Sequence, residues 1–285
     1  MPTKQNRKQK LDDIEEKLRT GIDNFFTSAR YRELLRIMSK FHMYSFNNIL
    51  LIALQCPQAT YVTGYQNWKN FNRIVRRGEK AIRIIAPCPY KKENTETGEE
   101  EEHIFFRTAS VFDLSQTIQI PETEEIHLDI PELTASVLNY ENLISAITTA
   151  AGIPVTYENL RGSAKGCYYP KNNRIAIQIG MSELQTVKTL IHETAHSRIH
   201  NLKAIEDTKP DRKTKEIEAE SVAFMVAAML GLDTSDYTFE YIASWSGKDN
   251  KKSLDASMKR IRETAAILYE DIQKNLVAQK EEQKP

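Results

Sequence analysis

The stretch LIHETAHSRIH, residues 190–200, carries three of the six histidines in the chain and sets His192 and His196 on either side of Glu193 with the spacing His-Glu-x-x-His. Its flanks read as a helix. Ser182 is followed three residues later by Gln185, a capping-box start, and Leu184, Val187, Leu190, Ile191, Ala195 and Ile199 recur at helical spacing, which predicts a helix over about 182–201. His192 and His196 then stand at i and i+4 on one face, where two imidazoles can converge on one ion. Glu193 sits beside them, suited to take a proton from a water on that ion rather than to bind it. A chain of this composition produces the motif by chance about once in a hundred sequences, so a third ligand decides the reading.

A catalytic zinc needs three protein ligands and an open position. The segment DRKTKEIEAESVAFMVAAMLG, residues 211–231, reads as a second helix, with Asp211 as N-cap and Gly231 as the stop. It carries Glu216, Glu218 and Glu220 at its polar start and is almost wholly apolar from Val222 to Leu230. A helix with such an end is buried, and burying its acidic turns is costly unless a cation or hydrogen-bond donors meet them. Glu216 and Glu220 share a face continued by the small Ala223 and Ala227, while Glu218 projects about 160° away. Glu216 is the candidate third ligand, and Glu220 the acceptor that fixes the tautomer of a ligand imidazole. The alternative is that all three acids are solvated residues complementing the helix macrodipole.

Outward from this pair the texture is α+β. A helix is expected over 136–151, short strands at IPVTY (153–157) and RIAIQI (174–179), and a last helix near 250–277. As a bare sequence feature RIAIQI is a core strand; the other reading is an edge strand along which an extended peptide pairs. In the first half, apolar spacing over 11–41 with breaks at Gly21 and Ser28 predicts two helices, and FNNILLIALQ (46–55) a third. Beyond Pro57, β-branched and aromatic runs broken by Gly, Asn and Pro predict a small sheet with a hairpin tip at 93–102. Domains are expected at 1–120 and 136–278, joined by a proline- and acid-rich linker at 121–135 and followed by a frayed tail at 279–285.

The formal net charge of zero hides an asymmetry: residues 1–92 hold 18 Lys/Arg against 7 Asp/Glu. A basic surface invites a phosphate backbone. Between residues 43 and 92 aromatic, amide and basic side chains interleave. Tyr44, Phe46, Tyr65, Trp68 and Phe71 are candidates to stack on bases, with Asn47 among them, and Lys69, Arg73, Arg76, Arg77, Lys80 and Arg83 to hold phosphates around a turn at Gly78. Aromatics at this spacing equally suit a core. No apolar run is long enough to span a membrane and no apolar segment follows the basic start, so a cytoplasmic protein without membrane partners is expected. Cys56, Cys88 and Cys167 form no C-x-x-C pair and are expected to be reduced.

HETAH followed after nineteen residues by Glu216 resembles the gluzincin metallopeptidases, and E-x-E-A-x-x-x-A-F is similar to their ImmA/IrrE-like branch, with Glu220 where that branch often has Asn. The motifs Y-x-F-x-N, Q-x-P-x-A-T, Y-x-x-W, R-x-V-x-x-G-E-K and V-F-D-x-S-Q-T, from Tyr44 to Thr117, resemble the N-terminal single-stranded-DNA-binding domain of ArdC/LtrC-type antirestriction proteins, which join it to a zincin-like domain. The resemblance implies a small helical/β DNA-binding domain followed by a gluzincin-like metallopeptidase domain, carried by a mobile element. It also implies hydrolysis of a peptide bond in an unknown protein substrate, with Glu193 as general base on a water held by His192, His196 and Glu216. Zinc suits two imidazoles and a carboxylate, with manganese or iron as alternatives. Zincins add an oxyanion donor, for which Tyr168, Tyr169, His200, Tyr237 and Tyr241 are the candidates; for His200 a capping or surface role near the helix end is the other reading. The competing function is a DNA-coating protein whose metal site is structural or vestigial.

Overall fold

The computed structural model of the chain describes residues 25, 28–93, 100–124, 140–204, 210–235, 237, 239 and 251–282. They fall into two compact units, one built from residues 47–124 and one from 28–46 together with the residues from 140 onward.

In the first unit, helix α2 (Phe46–Gln55) precedes a three-stranded antiparallel sheet of order β1-β4-β3, formed by β1 (Val62–Gly64), β4 (Glu100–Asp113) and β3 (Ile82–Glu93). Strands β2 (Arg73–Val75) and β5 (Thr117–Gln119) pair separately. Strand β3 is an edge of its sheet, and α2 caps that edge with amides. Asn48 donates to the Ile85 carbonyl at 2.8 Å and accepts from its N–H at 2.9 Å, and Gln55 does the same for Arg83 at 2.9 Å on both bonds. Backbone groups that would otherwise template another strand are thereby satisfied. Asp113, fully buried, accepts from the N–H groups of Thr60, Tyr61 and Ser115 and locks the start of β1 to the end of β4.

The second unit contains α1 (Ser28–Lys40), α3 (Tyr140–Ala151), α4 (Glu183–Ile199), α5 (Arg212–Met229) and α6 (Lys251–Glu282), with a sheet of order β6-β8-β7. Strand β6 (Val155–Glu158) runs parallel to β8 (Arg174–Gln178), and β7 (Gly166–Tyr169) pairs antiparallel on its other side. RIAIQI is therefore the central strand, with Ile175, Ala176 and Ile177 wholly buried, as the core-strand reading expected and not the peptide-pairing edge. The edge facing α4 is β7, whose four residues GCYY are too few to give a period.

Helix α1, expected in the N-terminal domain, packs here. Tyr31 is fully buried, shares a hydrogen bond of 2.9 Å with Ser221 of α5 and meets the Phe239 ring edge-on. The apolar side of α5, from Val222 through Phe224 to Val226, has no exposed surface, and each such side chain stabilises the unit by roughly 1.5–3 kcal/mol. Asp211 caps α5 by accepting from the Thr214 N–H at 2.7 Å, and Gly231 closes it with φ +72°. Helix α6 runs to Glu282, so residues 279–282, expected to fray, are helical. The expected helix before Ser28 and most of the 121–135 linker lie outside the described residues.

Candidate metal centre

Ser182 caps α4 by accepting from the Gln185 N–H at 3.3 Å, and from there the helical period carries His192, Glu193, His196 and His200 to its far end. Helix α5 crosses beside it with Glu216, Glu218 and Glu220. Between them the Nε2 atoms of His192 and His196 stand 3.1 Å apart, and Glu216 Oε2 lies 3.7 Å from each. These three groups form a cluster able to hold a metal ion, with all donor atoms within 4.8 Å of one another. A tetrahedral ion with bonds of roughly 2.0–2.2 Å holds its ligand atoms about 3.3 Å apart, so the triangle fits zinc or a similar divalent cation. On the far side of the His192 ring, Nδ1 lies 3.0 Å from Glu220 Oε2, a bond in which the N–H donates and the carboxylate accepts.

The electrostatics follow from this crowding. Burial pushes His192 down, but Glu216 and Glu220 more than offset it and raise the imidazole to about 10. Burial lowers His196 to about 4, aided by the charge on His192 against Glu216's opposing hydrogen bond. Hydrogen bonds from His192 and then His196 hold Glu216 well below the usual carboxylate range. Burial pushes Glu193 above that range, against the pull of His192 and of the Tyr168 backbone N–H, which donates to its carboxylate. A base so shifted is matched to proton transfer nearer neutrality.

Edge strand β7 forms the wall opposite. At Gly166 an added Cβ would stand 2.6 Å from Thr189 Cγ2 and 2.8 Å from both Cγ and Oε1 of Glu193. Only glycine lets the strand lie this close to Glu193. Two hollows meet at Gly166, His192 and Glu193: one of about 410 Å³ reaching Lys188, Glu220 and Tyr237, and one of about 380 Å³ reaching Tyr168, His196 and Glu216.

Of the oxyanion candidates, Tyr237 and Tyr168 line these hollows, Tyr169 lies under the Arg174 guanidinium at 4.3 Å, and Tyr241 is outside the described residues. His200 is the C-cap residue of α4, as the capping reading had it, also lines the second hollow, and is not a surface residue. It is buried at 3% exposure with both ring nitrogens engaged, Nδ1 at 2.9 Å from His196 Nδ1 and Nε2 at 2.9 Å from Glu218 Oε2. Glu218 is wholly buried and its other oxygen accepts from Arg260 of α6. The sequence signal for this partnership is His200 one turn beyond His196 and Glu218 set apart from its acidic neighbours, which helical geometry exposes and sequence alone cannot pair.

The candidate DNA-binding residues divide, Tyr44 and Phe46 falling in the second unit and the others in the first. Trp68 has no exposed surface, donates from Nε1 to the Phe112 carbonyl at 3.2 Å, and packs edge-on against Tyr61 and Phe71. Phe46 is also buried, at 7%. Neither has a free face for a base, because both rings supply the apolar area their neighbours need. Tyr44 and Phe71 are half-buried, and Asn47 is exposed on α2. Tyr65 is 51% exposed, and Lys69, Arg76, Arg77, Lys80 and Arg83 are exposed. Gly78 takes φ +90° and turns the chain between Arg77 and Lys80. Several of these cations have protein partners: Arg73 donates to Thr117, Arg76 to Glu79 and the Ser115 carbonyl, and Arg83 to Ser110. The exposed Tyr90, Phe105 and Phe106 on the β3–β4 ribbon are aromatic positions that sequence reading left in the sheet.

Residues 4–112 match the family model for the N-terminal domain of the anti-restriction factor ArdC. Among solved structures, the chain is similar to the antirestriction protein ArdC of plasmid R388. The metal-free crystal structure gives a TM-score of 0.54 and 22% identity, covering 81% of this chain and 86% of that one. The Mn(II)-bound structure gives 0.53 and 22%, covering 80% and 85%. The chain is also similar to pXO2-81, an uncharacterized Bacillus anthracis protein, at 26% identity over 96% of this chain, and it spans about half (53%) of that relative's length. The fold is thus that of ArdC. Residues 4–112 thus match the N-terminal domain of the anti-restriction factor ArdC, and beyond them the likeness is one of fold. No helix among the described residues is long and apolar enough to cross a membrane.

Proposed function

We propose that this protein binds single-stranded DNA through the exposed Tyr65, Lys69, Arg77, Lys80 and Arg83 of its first unit and hydrolyses a peptide bond at a divalent metal held by His192, His196 and Glu216, acting in the cytoplasm on behalf of a mobile element. One observation carries the catalytic part: three ligand atoms of the right kind face one point, and a shielded carboxylate that does not join them lies alongside. The ion, zinc in first place with manganese as the alternative, would supply a Lewis acid that polarises water and the scissile carbonyl. The Mn(II) bound by R388 ArdC supports a divalent cation in this fold.

Glu193 takes a proton from the attacking water and returns it to the leaving amine. The Tyr168 N–H aims its carboxylate, and Gly166 leaves room for it. Glu220, by accepting from His192 Nδ1, turns the Nε2 lone pair of that ring toward the ion. An extended peptide lying along β7 would run from one hollow to the other across Glu193, with Tyr237 or Tyr168 near the developing oxyanion. In the first unit, Tyr65 offers a stacking face, and Lys69, Arg77, Lys80 and Arg83 offer charge for phosphates.

The test is metal content after purification without added metal: about one equivalent is expected in wild type and almost none in Glu216→Ala. Glu193→Gln is expected to keep the metal and the fold but lose peptide cleavage. Antirestriction that persists undiminished in Glu193→Gln would replace the enzyme by a DNA-coating protein with a structural metal site.

A further inference from the structure

We infer that His200 and Glu218 form a buried proton-ordering relay that fixes the tautomer of His196 and so presents its Nε2 lone pair to the metal; this rests on the metal-site reading above. The argument is donor and acceptor accounting along one chain of contacts. Glu218 is enclosed, with one oxygen accepting from Arg260, whose Nη2 also donates to Ser257 at 3.0 Å, and the other 2.9 Å from His200 Nε2. A carboxylate paired to a guanidinium only accepts, so His200 carries its proton on Nε2. In the neutral ring its Nδ1 is then a bare lone pair, and the atom 2.9 Å away, His196 Nδ1, is the donor. With its proton on Nδ1, His196 has its lone pair on Nε2, the atom facing His192 and Glu216.

The two ligand imidazoles are therefore oriented by different means. His192 donates directly to a carboxylate, that of Glu220, whose side chain is about one-third exposed. His196 donates to another histidine, which passes the constraint to a carboxylate held by α6 in the interior. His200 and Glu218 touch neither substrate nor ion; they are positioning residues, and they tie the metal site to the helix that closes the core.

The relay predicts two results on the full-length protein. In long-range proton–nitrogen NMR spectra of the histidine rings, His200 is expected as the Nε2–H tautomer and His196 as Nδ1–H. In competition titrations with zinc, His200→Leu is expected to bind about 10–100-fold more weakly than wild type, the usual effect of removing a partner that orients a ligand. His200→Gln is expected to recover most of the affinity, because its amide places an acceptor and a donor side by side as the imidazole does. Circular dichroism and a cooperative melt identify any variant that has not folded, and for such a variant the wild-type tautomers decide. A His200 ring protonated on Nδ1 alone, or a folded His200→Leu that binds zinc as tightly as wild type, would overturn the relay. A wild type no better than Glu216→Ala at binding zinc would instead remove the metal site, and the tautomers alone would then decide whether the relay stands.

Discussion

The candidate DNA-binding residues and the candidate metal-site residues were both legible as clusters of suggestive residue types, yet folding treats the two clusters in opposite ways. In residues 47–124 the aromatic candidates part company, Trp68 going to the core while Tyr65 stays outside. In α4 and α5 His192, His196 and Glu216 turn toward one point, and His200 and Glu218 form a second layer behind it. The difference lies in the kind of signal. Helical spacing is a rigid ruler: residues at i and i+4 share a face whatever the helix packs against. Interleaved aromatics and cations are a composition, and a Trp that can stack on a base serves a core equally well.

The contrast can be broken most sharply at Trp68. Replacing it with alanine is expected to cost roughly 3–5 kcal/mol in urea unfolding, the loss of a fully buried aromatic. Tyr65→Ala is expected to leave stability within about 0.5 kcal/mol and to weaken single-stranded-DNA binding instead. If Trp68→Ala unfolds like wild type and Tyr65→Ala does not, the division between core and surface is reversed.

Gly166→Ala probes the other unit. Its Cβ cannot be accommodated unless Thr189 or Glu193 moves, which is expected to cost about 1–3 kcal/mol of stability. It should also depress peptide cleavage more than zinc affinity, because Glu193 is displaced and the ligands are not. Equal loss of both would mean that β7 supports the ligands rather than the base.

The pH dependence of metal affinity follows from the sign of two shifts. His192 is raised to about 10, so below that pH a proton competes for its ring, whereas His196, lowered to about 4, competes only in acid. Raising the pH from 6 to 9 therefore removes one competitor, and affinity is expected to rise about tenfold per pH unit, or about 1.4 kcal/mol. Isothermal titration at three pH values in buffers that bind no metal would measure the slope, and a flat profile would break the assignment of His192 as ligand.

The smallest effects belong to the exposed cations. Arg77→Ala and Lys80→Ala are each expected to leave the fold unchanged and to reduce the dependence of log K on log salt for single-stranded DNA by about 0.7. A slope that does not move in either variant would place the phosphate track elsewhere on this unit.

Much of the architecture could be read in advance because its determinants are local. The caps at Ser182 and Asp211 and the stop at Gly231 appear where side-chain chemistry requires them. Strand β7 could not be read: four residues, all half-buried, carry no alternation, and only pairing with β8 makes them a strand. RIAIQI was legible as a core strand, but its alternative placement at the edge failed for the related reason that an apolar centre signals burial, not position in the sheet. The affiliation of α1 was equally hidden, because Tyr31 finds Ser221 190 residues away.

The sequence by itself determined which residues lie on which side of each helix, and hence that His192, His196 and Glu193 travel together and that Glu216 and Glu220 share a face opposite to Glu218. Only the tertiary structure decided what each face meets. The approach of α5 to α4 joins Glu216 to the two imidazoles, and the packing of α6 behind them gives Glu218 its arginine and His200 its acceptor. The reason is physical: helical periodicity is fixed by backbone hydrogen bonds within a few residues, whereas a buried charge is tolerated only if a distant part of the chain brings its partner, and no local pattern encodes that arrival.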